Sequence, residues 1–401
     1  MKKQKICQPK SRNMKTNWPT KKLSEVLETC DAGVWGKPAV KGNGLFVLRS
    51  TNMSNDGKLD FSDVAEREVG GDIKKMKLLD GDILVEKSGG GPDQPVGRVA
   101  YFVAPNHRDF SFANFIQRLR TKFDLVNSRF LFYRLLFLHK IGFTKKLQSQ
   151  TTGIRNLKLS LYLKTEIPLP PLTIQKQIVE RLDKITEAQK LNDELIQKSN
   201  ELFQSLLHQE LNLAGKDWEV KKLSEVGKIV TGTTPSTKNG EYWNGEFLWA
   251  TPTDIKENTF ILTDTPKKLS RAGYEKTRPV PQNAILVTCI ASIGKMAIAG
   301  KEMATNQQIN SIVCNKENDP LFIFFSIQKD KKKLISLGKT TAVPIINKSE
   351  FGRIKIPLPP LKTQKQIVAK LSAVQDYKIQ LLAQKSKLKE LFNSVLSKSF
   401  K

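Results

Sequence analysis

The sequence predicts an α+β chain written twice: two similar globular units, each closed by a long helix, the two helices pairing as a coiled coil. Three observations carry this. The hexapeptide Ile-Pro-Leu-Pro-Pro-Leu occurs at Ile167 to Leu172 and at Ile356 to Leu361, each time followed two residues later by Gln-Lys-Gln-Ile-Val. Trp18 leads into Lys21-Lys22-Leu23-Ser24-Glu25-Val26, and Trp218 into Lys221-Lys222-Leu223-Ser224-Glu225-Val226. A long stretch with apolar residues at heptad spacing follows each hexapeptide.

The opening phrases lie 200 residues apart and the hexapeptides 189 apart, so the stretches between them differ by 11 residues while their frames match. The expected boundaries are a tail over 1–17, a first unit over 18–166, a central helix over 167–213, a second unit over 214–355 and a C-terminal helix over 356–401. Units of about 140 residues are of ordinary domain size, far longer than solenoid repeats.

Along the chain, Met1 to Lys15 is basic and lacks a following apolar core, which argues against a secretory signal. Asp82-Ile83-Leu84-Val85 and Gly97-Arg98-Val99-Ala100 read as short strands, echoed by Ala284-Ile285-Leu286-Val287 and Gly294-Lys295-Met296-Ala297. Ser88-Gly89-Gly90-Gly91-Pro92 reads as a flexible turn, because it lacks the lysine-bearing helix launch of a phosphate loop. Phe123 to Ile141 is apolar and aromatic and predicts a helix. Its counterpart, Leu321 to Leu337, turns lysine-rich after Gln328 and is also read as helical. Thr151-Thr152 echoes Thr340-Thr341 at the 189 offset.

Proline cannot continue a helix interior but is tolerated in its first turn, so Pro170-Pro171 and Pro359-Pro360 each launch a helix. Heptad positions from Ile367 to Ser399 read Ile, Leu, Val, Lys, Leu, Lys, Leu, Phe, Val, Ser. The same register 189 residues earlier reads Ile, Leu, Ile, Gln, Asn, Ile, Ser, Phe, Leu, Glu. This predicts a seam through Ile178, Leu182, Ile185, Leu371, Val374 and Leu381. Gln189, Asn192 and Ser199 interrupt it and can fix its register. Two amphipathic helices packing on separate domains are the alternative.

The net charge is +27. Residues 1–166 carry 30 basic against 16 acidic side chains and residues 214–355 carry 22 against 14. The central helix has 5 against 7 and the C-terminal one 9 against 2, opposite signs that suit pairing. Two duplicated basic units point to a polyanion, nucleic acid above all. The four cysteines, Cys7, Cys30, Cys289 and Cys314, form no Cys-x-x-Cys pair, and the histidines are few, which argues against zinc. Such cysteines fit a reducing cytoplasm, and no apolar run is long enough to span a bilayer. There is no phosphate-binding Gly-x-x-x-x-Gly-Lys-Ser/Thr and no Gly-x-Ser-x-Gly elbow. The Asn/Asp-Pro-Pro-Tyr/Phe tetrad of a DNA amino-methyltransferase is also missing, since Leu169 and Leu172 flank Pro170-Pro171.

These residues resemble the specificity subunit of type I restriction–modification enzymes. The resemblance runs from Trp18 to Phe400. It rests on Pro-Leu-Pro-Pro-Leu-x-x-Gln-Lys-Gln-Ile-Val in both halves and on Gly232-Thr233-Thr234-Pro235-Ser236, Tyr242-Trp243-Asn244-Gly245 and Trp249-Ala250-Thr251-Pro252-Thr253-Asp254. Ser292-Ile293-Gly294 and Asn306-Gln307-Gln308-Ile309-Asn310 continue it. The first half departs: Asp31 to Gly36 stands where the Gly-Thr-Thr-Pro-Ser loop is expected, and Asn114-Phe115-Ile116-Gln117 where Asn-Gln-Gln is expected.

The resemblance implies two target-recognition domains, each reading one half of a bipartite DNA target, with the long helices antiparallel and setting the gap. It implies no catalysis and no cofactor in this chain. Double-stranded DNA, two modification subunits and two restriction subunits are the implied partners, with S-adenosylmethionine, ATP and Mg held by those subunits. Arginine, asparagine and glutamine make bidentate contacts to bases, whereas lysine mostly meets phosphate. On that ground the candidate contacts are Arg49, Asn52, Lys87, Ser88, Arg98, Asn114 and Gln117 in the first unit. In the second they are Thr233, Thr234, Ser236, Thr253, Ser292, Lys295, Gln307 and Gln308. Trp243 and Trp249 are read as core. A methylation-only or other restriction system's recognition subunit, a standalone nucleic-acid-binding protein and a self-contained methyltransferase are the competing readings.

Overall fold

The two repeated phrases pair with each other. In the computed structural model, Thr20–Lys22 forms an antiparallel ladder with Glu166–Pro168, Lys21 opposite Ile167. Glu219–Lys222 does the same with Lys355–Leu358, Lys221 opposite Ile356. Each unit is thus clasped where its chain enters and leaves. The remaining letters of the phrase are also used. Leu23, Val26, Leu223 and Val226 are fully buried, and Glu25 and Glu225 each accept the amide of the lysine three residues earlier at 2.6 Å. The structure describes residues 18–40, 44–70, 73–90, 94–106, 108–151, 154–256, 259–338 and 343–401. The tail over 1–17, Gly91, Pro92, Thr152, Thr340 and Thr341 lie outside them.

The chain divides into two compact units. One comprises the residues up to Leu191 together with Ser386–Lys401, the other Asn192–Lys385. The division therefore cuts both long helices, because each half-helix supplies core to the unit it lies against.

In the first unit, an antiparallel sheet runs in the order Leu27–Ala32, Ile116–Thr121, Ile83–Glu86, Val99–Tyr101. The helix Ser128–Lys140 buries Phe130, Leu131, Tyr133, Leu135 and Leu136 in the same core as this sheet. It starts later than the apolar run suggests. Asn127 is the N-cap, its side chain accepting from the Phe130 amide at 3.0 Å, which leaves Phe123 outside and 88% exposed. A second sheet orders Lys37–Pro38, Ala65–Glu68, Leu45–Leu48 and Phe110–Phe112. A third joins Gln148–Thr151, Ile154–Leu157 and Ser88–Gly90. The glycine run is therefore a strand at Ser88–Gly90, not a turn: Asn156 lies opposite Ser88 and Arg155 opposite Gly90.

In the second unit the corresponding sheet runs Gly227–Thr231, Ile309–Cys314, Ile285–Thr288, Met296–Ala299, with Ile261–Leu262 added parallel at the edge. A smaller sheet orders Lys268–Leu269, Trp243–Ala250 and Ala304–Thr305. The helical run after Asp319 is two helices, Pro320–Lys329 and Lys331–Leu337, separated by Asp330.

The long helices are Leu172–Glu210 and Leu361–Phe400. In the first unit Ile178 and Leu182 share a core with Phe392, Leu396 and Phe400. In the second, Phe203, Leu207 and Leu211 share one with Ile367 and Leu371. The start of each helix meets the end of the other in both units, so they pack antiparallel. Leu182, Leu371, Leu381 and Ile178 are buried, while Ile185 and Val374 are partly so. Lys370 bonds Glu210 at 2.7 Å and Lys385 bonds Asp193 at 2.8 Å, ion pairs between helices of opposite charge.

The Gln of each Gln-Lys-Gln phrase pins its helix to the unit. Gln175 accepts from the Asn127 amide at 2.8 Å and donates to the Pro170 carbonyl at 2.8 Å. Gln364 accepts from the Asp319 amide and donates to the Pro359 carbonyl, both at 2.9 Å. Both glutamines are 1% exposed, and each holds the N-cap residue of the unit's main helix. Among the described residues no helix is long and apolar enough to cross a membrane.

Candidate nucleic-acid interface

Backbone hydrogen bonds align the two units residue by residue where the sequence does not. In the second unit the Gly232 amide donates to the Ile309 carbonyl at 3.1 Å and the Thr233 amide to Thr305 at 2.8 Å. In the first, the Gly33 amide donates to Ile116 at 3.2 Å and the Val34 amide to Phe112 at 2.9 Å. Gly33 is therefore the counterpart of Gly232. Both must be glycine, since a Cβ would lie 2.3 Å from the Ala113 oxygen in one and 2.1 Å from the Asn306 oxygen in the other. The Asn306 amide bonds the Ala250 carbonyl at 2.9 Å and the Ala113 amide bonds Leu48 at 2.8 Å, so Asn114 takes the place of Gln307.

In the second unit this frame gathers three segments. Thr234 Oγ1 bonds Gln307 Oε1, and Arg278 Nε donates to Thr233 Oγ1 at 3.0 Å. Trp249 Nε1 donates to the Thr233 carbonyl and Trp243 Nε1 to the Ser236 carbonyl, each at 3.2 Å. The two rings meet edge to face at 5.0 Å, which supports the loop from beneath. Ser236, Gln307 and Arg278 are exposed. Thr253, also exposed, sits on the adjoining turn, where Thr251 and Thr253 hydroxyls lie 2.7 Å apart. Gln308 is half-buried and accepts from Asn306 Nδ2 at 2.9 Å. Ser292 is exposed on the turn after Cys289, whose amide bonds the Gln308 carbonyl at 2.8 Å. Lys295 lines a cleft with residues of the second long helix.

In the first unit the same place holds different side chains. Trp35, the counterpart of Thr234, lies under the Arg67 guanidinium, 4.0 Å from its ring centroid, with Arg49 at 5.9 Å. Arg49 is held by Asp63 at 2.8 Å. Asn114 is exposed beside Phe115, which is 42% exposed. Lys87 is half-buried, and its amide donates to the Phe115 carbonyl at 2.9 Å; Ser88 bonds Asn156.

Three candidates fall away. Arg98 is buried, with Nε and Nη2 on Glu86 at 2.9 and 2.7 Å and Nη1 on the Met53 carbonyl. Asn52 is 5% exposed, accepting from the Arg49 amide and donating to the carbonyls of Asp60 and Asp63. It repeats the turn cap that Asp254 makes to the Thr251 amide. Gln117 stands opposite Ala32 within the sheet, 3% exposed, donating to Cys30 Sγ. These bonds hold all three side chains inside the fold. Arg67, Trp35 and Arg278 were not singled out by sequence. Their only signal is residue type, because no spacing ties them to the loops they meet.

The charged groups behind the first surface are structural. Burial pushes the Asp31 carboxyl up, but hydrogen bonds from Arg118 and Thr29 outweigh it and hold it below the usual range. The Asp82 hydrogen bond raises Arg120, which it grips through both oxygens at 2.8 Å. Among the described residues no cluster of His, Cys, Asp and Glu is arranged to hold a metal.

Two units sharing one frame, with different polar side chains on the same loops, define a duplicated recognition scaffold. The type I restriction modification DNA specificity domain matches residues 15–200 and 215–390, and the chain belongs to that family. It is 26% identical over 384 residues to a Methanocaldococcus jannaschii protein provisionally named the type I restriction enzyme MjaX specificity subunit, covering 90% of this chain and 87% of that one. It is 35% identical over 151 residues to the Haemophilus influenzae HindI specificity subunit, covering 36% of this chain and 32% of that protein. The fold is similar to the S subunit of a type I system from M. genitalium, with TM-score 0.63, 15% identity, and 97% of each chain covered.

Proposed function

We propose that this chain is the non-catalytic DNA-recognition subunit of a type I restriction–modification complex, each unit reading one half of an asymmetric bipartite target. One observation carries the asymmetry: equivalent positions on a common hydrogen-bonded frame hold Trp35 and Asn114 in one unit and Thr234 and Gln307 in the other, and the arginines that meet these loops, Arg67 and Arg278, come from different elements. Guanidinium and amide groups read base edges in the major groove, whereas the surrounding lysines meet phosphate. In this reading the antiparallel helices set the gap between half-sites and hold the modification subunits. Those subunits bring S-adenosylmethionine, and restriction subunits bring ATP and Mg. The complex works on DNA in the cytoplasm.

The test is a chimera. Replacing Trp218 to Lys355 with the corresponding segment of a relative should change one half of the methylated motif and leave the other half and the gap intact. Sequencing methylated DNA from cells carrying the chimera reads this out. A change in both halves contradicts it, and so does enzyme-like methyl transfer by the purified chain alone.

A further inference from the structure

The buried ion pair of the first unit, Arg98 with Glu86, has no equal among the described residues of the second. Glu86 and Thr288 occupy the same place. The Glu86 amide donates to the Arg98 carbonyl at 2.9 Å and the Gly97 amide to Glu86 at 3.0 Å; Thr288, Lys295 and Gly294 repeat both bonds at 2.9 and 3.0 Å. Arg98 is neutralised by Glu86. Its counterpart Lys295 faces a hydroxyl-bearing residue instead, and among the described residues its ammonium meets only the Pro252 carbonyl, at 3.4 Å.

Lys295 opens onto a cavity of about 310 Å³ that it lines with Lys256, Lys331 and Lys378. None of these four lysines is ion-paired among the described residues. Ile379, 49% exposed, adds an apolar wall from the second long helix. Gln328 Oε1, also in the lining, is buried without a donor. Three needs are therefore unmet among the described residues: a counter-charge for the ammonium groups, apolar cover for Ile379 and an N–H donor for Gln328 Oε1. Its volume is near the lower end of the ~300–1,000 Å³ range of ligand pockets, enough for a few side chains and too narrow for a duplex. A DNA phosphate satisfies only the first need. A polypeptide carrying Asp or Glu beside an apolar residue satisfies all three, its backbone amide serving Gln328.

We propose that this cleft docks an acidic, partly apolar segment of the modification subunit, an assignment that rests on the function proposed above. Lys256 and Lys331 are exposed, so reversing both charges leaves the core intact. Affinity between the full chain and a modification subunit of the same system is measured for the wild type, for the K256E/K331E variant and for K256R/K331R. DNA binding by each chain is measured separately. Reversal should weaken assembly at least about ten-fold, the arginine variant should retain it, and DNA binding by the chain should be unchanged. Undiminished assembly in the reversed variant overturns the proposal. So does weakened DNA binding with assembly intact, which would make the cleft a phosphate contact. If the wild-type chain itself binds no modification subunit, it is the function proposed above that fails.

Discussion

Asn192 Nδ2 donates to the Leu381 carbonyl at 3.1 Å, and the two residues are 189 apart, the offset of the duplicated helices. Each therefore stands at the other's place in the repeat. Two identical helices crossing antiparallel would put one residue against its own copy here. The duplication has diverged at that point, so that an amide meets a leucine. Asn192 is 2% exposed and its Oδ1 has no partner among the described residues. A buried, half-satisfied amide in an apolar seam costs stability and penalises every register in which it lacks its carbonyl.

Replacing Asn192 with leucine should accordingly raise the melting temperature, by an amount corresponding to about 1–2 kcal/mol. It should also loosen the register. Calorimetry reads the first effect, and a broadened set of gap lengths in the methylated motif reads the second. A clear fall in melting temperature would show that the Leu381 bond outweighs the orphaned oxygen.

Gln364→Leu should destabilise the second unit by about 1–3 kcal/mol. It leaves the Asp319 amide and the Pro359 carbonyl without the bonds they make now. Hydrogen exchange by mass spectrometry should show faster exchange in Pro320–Lys329 and none of it in Ser128–Lys140. Gln175→Leu should reverse the pattern. Equal effects of either variant on both helices would contradict the independent pinning of the units.

His139 makes the first unit acid-sensitive. Burial is the main cause, with Arg98, Lys140 and Lys145 adding repulsion, and its pKa falls to about 4. The fold holds the ring neutral against Thr144, while the unfolded chain protonates it below about 6.5. Its contribution is full above that value and is lost as the pH falls through the folded pKa, amounting to as much as about 3 kcal/mol. Melting temperatures across that window should fall with acid, and His139→Gln should flatten the slope. An unchanged slope would remove His139 as the cause.

Gln307→Ala should relax base preference at one position of one half-site, with a loss of about 1–3 kcal/mol of discrimination there. Arg278→Ala should act on the same half-site. Asn114→Ala should act on the other half only. Arg98→Met should do neither by contact. It leaves Glu86 buried and unpaired and should show as a stability loss of about 3–5 kcal/mol. Competitive binding with mutated half-sites, alongside thermal melts, separates the two kinds of effect.

Inserting four residues after Ser199 adds about 6 Å to the first long helix. If the helices are the ruler, the preferred gap should lengthen by one or two base pairs at about 3.4 Å each, with both half-sites unchanged. An unchanged gap at full activity would refute that role.

The sequence by itself determined the duplicated frame. The proline helix launches, the heptad seam through Leu182 and Leu371 and the polar interruptions at Gln189 and Asn192 all follow from local periodicity. Such signals survive because a strand, cap or heptad position is specified within a few residues. The strand pairing of the two repeated phrases, by contrast, joins the ends of each unit, and no local window shows it. Tertiary structure alone decided which polar side chains are free to act. Arg98 reads on paper like any groove-facing arginine, but Glu86, on a neighbouring strand, closes over it. Lys295, its counterpart, stays open because Thr288 stands where that carboxylate would be. Trp35 and Arg67 come together only when Ala65–Glu68 folds beside Lys37–Pro38. A charge is neutralised or left bare by partners distant in sequence, so no window of residues discloses it.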